Sequence, residues 1–235
     1  MKQYLKEKSP FIFGIYRRIC RLRTELYLHK IRKWPLHKVF EDAYRGMVHL
    51  ESASGSGSTL KATEKIRQEI PILFGQLRIR SMVDAPCGDF NWMKEVPLTI
   101  EQYYGFDIGP ELIQMNNKNH GNSIRKFMII DITKDELPEV DMVFCRDCLV
   151  HLSFDNIISV IRNFKKSGST YLLTTTFPNI KKNKNIITGD WRPINLEQSP
   201  FNFPKPLDLI NEHYWEDNKK TGKSIGLWRL EDIIV

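Results

Sequence analysis

From Ser81 onward, short and almost uninterrupted apolar runs alternate with stretches of helical periodicity. No other feature of the chain limits the possible architectures as much. The runs are Ser81–Asp84, Tyr103–Asp107, Lys126–Asp131, Asp141–Cys145 and Thr170–Phe177, with a weaker one at Leu207–Ile210 and a clearer one at Ile225–Leu230. Helices fit from Leu60 to about Leu77, after Phe90, after Pro110, and from Phe154 to about Lys165. Strands that are apolar throughout, rather than at every second residue, belong in a sheet buried on both faces, and strand–helix–strand units make that sheet parallel. The expected fold is therefore α/β, a seven-stranded mostly parallel sheet with helices on both faces.

In such a sheet ligands bind beyond the carboxyl ends of the strands, where turn backbone can approach them closely. The first strand ends in Asp84, and Gly88 sits in the turn that follows, where the lack of a Cβ permits that approach. A single glycine is a poor match to the G-x-G-x-x-G loop of dinucleotide enzymes, which argues against NAD or FAD. Asp107 ends the second strand, 23 residues after Asp84, where a carboxylate can accept both hydrogen bonds of a ribose diol. Asp131 ends the third strand, placed to accept from an adenine amino group while Ile132 packs on the ring. Each aspartate alone reads equally as a turn residue. Three at successive strand ends, with Gly88 between the first two, describe a nucleoside site.

The segment Phe144-Cys-Arg-Asp-Cys-Leu-Val-His151 closes the fourth strand, which faces the reactive end of a nucleoside cofactor in a doubly wound sheet. His151 titrates near neutrality and suits a general base toward an acceptor hydroxyl. Asp147 stands four residues earlier, on the same face if the segment is helical, where it would orient the histidine or meet the acceptor. The bland alternative is an Arg146–Asp147 ion pair with His151 capping or packing. Cys145, Cys148 and His151 have zinc-like spacing, but a structural zinc needs four ligands and no second Cys/His pair lies nearby, so no metal is expected.

At these residues the chain resembles the class I S-adenosylmethionine (SAM)-dependent methyltransferases, which are Rossmann-like. It is most similar to a bacterial-type group reading Asp-Ala-Pro-Cys-Gly-Asp-Phe-Asn-Trp at 84–92, Arg-Asp-Cys-Leu-Val-His-Leu at 146–152 and Trp-Arg-Pro-x-Asn-Leu at 191–196. The resemblance covers roughly Glu51 to Val235. It implies SAM as cofactor, with Asp84, Cys87 and Gly88 lining its methionine part, Asp107 the ribose, and Asp131 with Ile132 the adenine. Asp89, Trp92 and Ile108, in the same loops, and Arg146, at the end of the fourth strand, join the cofactor-binding candidates. Pro86 and Phe90 stand where the wider superfamily often has glycines, so the glycine-rich form of the loop is incomplete.

Upstream, Glu51-Ser-Ala-Ser-Gly-Ser-Gly-Ser-Thr59 reads either as a flexible linker or as a lid. As a lid, Gly55 and Ser58 would present backbone N–H groups to a carboxylate at the start of the next helix. Downstream, the long stretch from Asn185 to Pro206 joins the fifth and sixth strands. Trp191 and Phe201 supply aromatic surface and Arg192 and Asn195 hydrogen-bonding groups, a mixture that suits a sugar. The alternative is that the aromatics pin the loop to the core. Together these features predict methyl transfer to a glycan or other small hydroxylated acceptor. The rivals are methylation of nucleic acid or protein, and a SAM-fold binding subunit without turnover.

Charge bears on those rivals. The net charge is +7, yet residues 1–40 hold eleven Lys/Arg against two Glu, leaving 24 basic and 26 acidic residues in the remainder. A body at −2 does not suit a nucleic-acid partner. The excess belongs to a basic N-terminal arm, so the domains expected are residues 1–50 (arm) and 51–235 (methyltransferase). In the arm Ile12, Ile15, Ile19, Leu22 and Leu26 recur at 3-4-3-4 spacing with Arg17, Arg18 and Arg21 largely off that stripe. Such a helix lies on an anionic membrane or a partner protein through residues 1–38, or packs its stripe on the domain. Four cysteines at no framework spacing, no apolar run of 18 and no signal-peptide pattern point to a cytoplasmic protein, with the arm as any peripheral contact.

Overall fold

The computed structural model describes residues 10–45, 51–212, 215–216, 219–220 and 222–235. The first part of the expected arm, residues 1–9, lies outside the described residues, as do the side chains of Ile12, Ile15 and Arg17. The chain divides into two compact units, residues 1–35 and 36–235. The first contains helix α1 (Pro10–Ile31). The second begins with helix α2 (Leu36–Arg45), so α2 belongs with the body.

Seven strands form one sheet: β1 (Ser81–Asp84), β2 (Gln102–Asp107), β3 (Arg125–Ile129), β4 (Met142–Cys145), β5 (Tyr171–Thr176), β6 (Asp208–Asn211) and, after a short hairpin of β7 (Trp215–Glu216) and β8 (Lys219–Lys220), β9 (Ser224–Arg229). Their order is β3-β2-β1-β4-β5-β9-β6. Strands β1 to β5 pair in parallel. Strand β9 runs antiparallel to both β5 and β6, which makes β6 parallel to the first five. The alternation of apolar runs thus yields the α/β sheet expected, with each strand within a residue or two of its sequence-predicted position.

Side-chain alternation sends neighbours to opposite faces, and both faces are covered. Val83, Val143 and Leu172 pack with Ile157, Val160, Ile161 and Phe164 of helix α5 (Phe154–Lys166). Met82, Met142 and Leu173 pack on the other face with Ile66, Ile70, Leu73 and Phe74 of helix α3 (Glu64–Leu77), and with Ile113 of helix α4 (Pro110–His120). Ser153 caps α5, its Oγ accepting the Asn156 N–H at 3.3 Å. Helix α3 starts later than Leu60, because Thr59 Oγ1 accepts the Ala62 N–H and closes a separate turn first.

The helix expected after Phe90 is absent. A single 3-10 turn, Met93–Glu95, takes its place. Phe90 lies in the left-handed region (φ +57°), which prevents an earlier start. Pro97 holds Val96 extended (ψ 119°), which stops continuation.

Candidate active site

The carboxyl ends of β1 and β2 bring Asp84 and Asp107 together beside the loop that carries Gly88. The Asp107 carboxylate is buried and accepts the Gly88 N–H at 3.0 Å and the Gly109 N–H at 2.9 Å. The hydroxyl of Tyr44, from α2, donates across both carboxylate oxygens at 3.3 and 3.2 Å. Burial raises the Asp107 pKa against these bonds, which favour the charged form. Asp84 accepts the Tyr103 hydroxyl at 2.5 Å. Burial pushes its pKa up to about 7, helped by Asp107 and opposed by Tyr103 and Arg146. Cys87 is buried behind the loop, where burial pushes its thiol up, and Asn116 fixes the loop from α4 through the Gly88 carbonyl at 2.8 Å.

The Gly/Ser segment at 51–59 is not a loose linker. Asp89 accepts Ser52 Oγ (3.0 Å), Ala53 N–H (2.7 Å) and Ser54 Oγ (3.2 Å), and its own N–H donates back to Ser54 Oγ. Gly88, at φ +55°, packs so closely under this segment that a Cβ would stand 2.1 Å from Ser54 Oγ. Gly55 supplies a further left-handed position (φ 92°), its carbonyl accepting the N–H of buried Ser58. Asp89 therefore fastens the segment over the β1 loop. Trp92 lies beneath, edge-on to Phe144 at 5.8 Å.

Asp131 and Ile132 follow β3. The Asp131 carboxylate closes its own turn, accepting from Thr133 N (3.0 Å) and Oγ1 (2.6 Å) and pairing with Lys134 at 3.4 Å. Ile132 and Ile108 are half-buried, and Ile132 packs on the core.

Beyond β4 the charges pair with one another. Arg146, with its side chain 4% exposed, donates to the Gly57 carbonyl (2.9 Å) and to Glu212 (2.6 Å), contacts Asp147 (3.2 Å) and lies 5.4 Å over the Trp92 ring. Lys223 reaches Asp147 at 2.5 Å and Glu212 at 3.4 Å. Among the described residues, the Arg146–Asp147 pair is thus half of a buried quartet whose formal charges balance. Asp147 is the member that reaches solvent, with its side chain 27% exposed. Burial works to raise its pKa, but Arg146 and Lys223 outweigh burial and hold it at about 2.

Asp147 and His151 do not share one helix, because Asp147 is left-handed (φ +54°) and His151 ends a separate 3-10 turn, Leu149–His151. The group that orients the ring is the Asp190 carbonyl, 3.0 Å from His151 Nδ1. A carbonyl only accepts, so Nδ1 carries the proton and Nε2 keeps the ring lone pair. Burial lowers the His151 pKa, against the pull of the Asp190 carbonyl and Asp147, and favours the neutral ring.

The loop after β5 is held by its own polar groups. Arg192 donates to the carbonyls of Leu149 (2.7 Å) and Leu152 (2.6 Å), and Asn195 to those of Pro178 (3.1 Å) and Ile180 (3.0 Å). Phe201 is buried edge-on against Phe154. These three residues pin the loop. Trp191 differs, being 46% exposed, adjacent to the residue that holds His151, and edge-on to Phe177 at 6.3 Å.

Tyr44, Asp190, Glu212 and Lys223 were not among the sequence-predicted site residues. Tyr44 sits outside the motif-bearing region, and Lys223 is 76 residues from Asp147, so no local pattern connects them. Among the described residues, no group of three or more His, Cys, Asp or Glu side chains is arranged to hold a metal.

No protein-family model matches the sequence. No curated protein matches it either. Solved structures do match. The N-methyltransferase NodS from Bradyrhizobium japonicum WM9, in complex with S-adenosyl-L-homocysteine, aligns with a TM-score of 0.58 at 10% identity, covering 81% of this chain and 97% of that one. The methyltransferase domain of bacterial CtHen1-C aligns with a TM-score of 0.51 at 11% identity, covering 71% and 97%. Magnesium protoporphyrin IX methyltransferase (ChlM) from Synechocystis PCC 6803, with bound SAM, aligns with a TM-score of 0.50 at 14% identity, covering 86% and 96%. The fold is that of the SAM-dependent methyltransferases. Within that methyltransferase fold, the carboxyl edge just described combines a carboxylate pair under a glycine loop with a separate histidine and an exposed indole.

Proposed function

We propose that the protein is a SAM-dependent methyltransferase acting on a hydroxyl of a glycan or other small hydroxylated acceptor. The observation that carries the cofactor half is the environment of Asp107. Two backbone N–H groups fix its carboxylate, and its outer side already accepts from a hydroxyl, that of Tyr44. A ribose diol asks for the same acceptor geometry, and a cationic ligand suits an edge that carries Asp84 and Asp107 side by side. Asp107 would hold the ribose, with Gly88 giving backbone approach, Ile108 and Ile132 providing apolar contact, and the 51–59 segment covering the loop.

SAM supplies a methyl group already activated on a sulfonium, so a methyltransferase needs chiefly position and desolvation. An aliphatic hydroxyl also has a proton to lose. His151 suits that task, with Nδ1 tied to the Asp190 carbonyl, the lone pair left on Nε2 and a pKa lowered by burial so that the ring is neutral near pH 7. Trp191 supports the choice of acceptor, since an exposed indole beside the base offers a flat apolar surface to the C–H face of a sugar. Asp147, held ionised by Arg146 and Lys223, offers a fixed acceptor for the other hydroxyls.

The test is turnover of methyl-labelled SAM across panels of sugars, lipids, RNA and protein. Label transfer to sugar hydroxyls, lost in His151→Ala with SAM affinity retained, is expected. Transfer only to RNA or protein, or no product with any panel, would overturn the acceptor assignment. Undiminished turnover in His151→Ala would remove the base.

A further inference from the structure

We propose that α1 is an interfacial helix that lies on an anionic lipid bilayer. Ile19, Leu22 and Leu26 are 47%, 58% and 72% exposed. At about 100° per residue they fall within an arc of roughly 60°, a continuous apolar stripe facing water. Ile12 and Ile15 extend the stripe in sequence. Arg18 and Arg23 flank it, each about 70° from its centre by the same geometry. Arg21 is tied to Glu25 at 2.9 Å one turn further round.

Between residues 18 and 33 there are six Lys/Arg and one Glu, a density of positive charge that the rest of the chain does not share. An apolar stripe bordered on both sides by basic side chains is the arrangement that seats a helix at the headgroup boundary, with stems and stripe in the acyl region and charges among anionic headgroups. Tyr27, exposed on α1, and Trp34, just beyond it with Lys30 5.4 Å over its ring, are side chains of the kind that settle at that depth. Among the described residues, no helix is long and apolar enough to cross a membrane.

A second copy of the chain is the competing occupant, because the 3-4-3-4 stripe is also a coiled-coil seam. In a parallel pair that seam would set Arg18 against Arg23 of the other copy, a like-charge contact. The bilayer satisfies both the stripe and its charges.

The experiment is co-sedimentation of the full chain with vesicles of equal parts phosphatidylglycerol and phosphatidylcholine, compared with phosphatidylcholine alone. Sedimentation is expected with the anionic vesicles. It should fall at least ~10-fold on neutral vesicles or in about 0.5 M salt, where headgroup attraction is screened. The variants Ile19→Asp/Leu22→Asp/Leu26→Asp and Arg18→Glu/Arg23→Glu should each lose it while keeping the wild-type Tm, since all five side chains are exposed. The proposal is overturned if the wild type stays in the supernatant with anionic vesicles or if the triple variant sediments as the wild type does. It is equally overturned if light scattering shows a dimer that the triple variant abolishes.

Discussion

The two halves of the sheet's carboxyl edge use their polar groups in opposite ways. On the β1–β2 side, backbone holds the central carboxylate: the Gly88 and Gly109 N–H groups fix Asp107, which also accepts from the Tyr44 hydroxyl. On the β4–β5 side, side chain holds backbone: Arg192 and Asn195 donate to loop carbonyls, and Arg146, Asp147, Lys223 and Glu212 pair among themselves. A strand end needs no further support to present a carboxylate. A loop running from Pro178 to Pro206 does, because its carbonyls have few partners in the sheet and must find donors elsewhere. In the proposed reading, function on that side falls chiefly to His151 and Trp191.

The first way to perturb this edge is to remove the proposed base. His151→Ala should reduce turnover on a hydroxyl acceptor by roughly 10²–10⁴-fold with SAM affinity unchanged, as read by steady-state kinetics and calorimetry. In the wild type the acid limb of the rate profile should lie below pH 6.5. His151 as the proposed base would act as the neutral ring, and its lowered pKa delays protonation as pH falls. The variant should lack that limb.

The second way is to break the quartet. Lys223→Met leaves Glu212 and Asp147 sharing one buried cation and should cost about 3–5 kcal/mol of unfolding free energy, measured in urea. Adding Glu212→Gln restores the charge balance and should recover much of that loss. If Lys223→Met is neutral, the quartet is not what holds the β4–β5 side.

Neighbouring residues in one loop give a finer contrast. Arg192→Lys should destabilise by about 1–3 kcal/mol, because a lysine does not reach the Leu149 and Leu152 carbonyls together. Trp191→Ala should leave Tm unchanged and raise KM for the acceptor by a few-fold.

A pH-dependent contrast concerns Asp84. Its folded pKa of about 7 lies above the usual carboxylate value, so between about pH 4 and 7 the folded protein keeps a proton that the unfolded chain has released. That contribution to stability is full at low pH, declines as pH rises through the window and is flat above it. The urea midpoint of wild type relative to Asp84→Asn should fall across the same range.

The same contrast explains what could be read from the chain. Strand order aside, the sheet and the juxtaposition of Asp84, Gly88 and Asp107 were legible, because short uninterrupted apolar runs mark strands buried on both faces and the residues ending parallel runs must lie on one edge. The grip on the Gly/Ser segment was not, since Asp89 reaches it by bonds spanning 35 to 37 residues. Arg192 and Asn195 read as ligand groups because composition reveals that a donor is present but not which carbonyl it serves. The missing helix after Phe90 followed from a left-handed Phe and a downstream Pro overriding helical periodicity.

Whether Asp107 and the Gly88 loop hold SAM is tested by titration calorimetry of wild type and Asp107→Ala with SAM. Binding by the wild type, weakened at least ~10-fold in the variant, is expected from loss of a charged hydrogen-bond acceptor worth about 1.5–3 kcal/mol. No heat of binding to the wild type, or equal affinity in a folded Asp107→Ala protein, would contradict it.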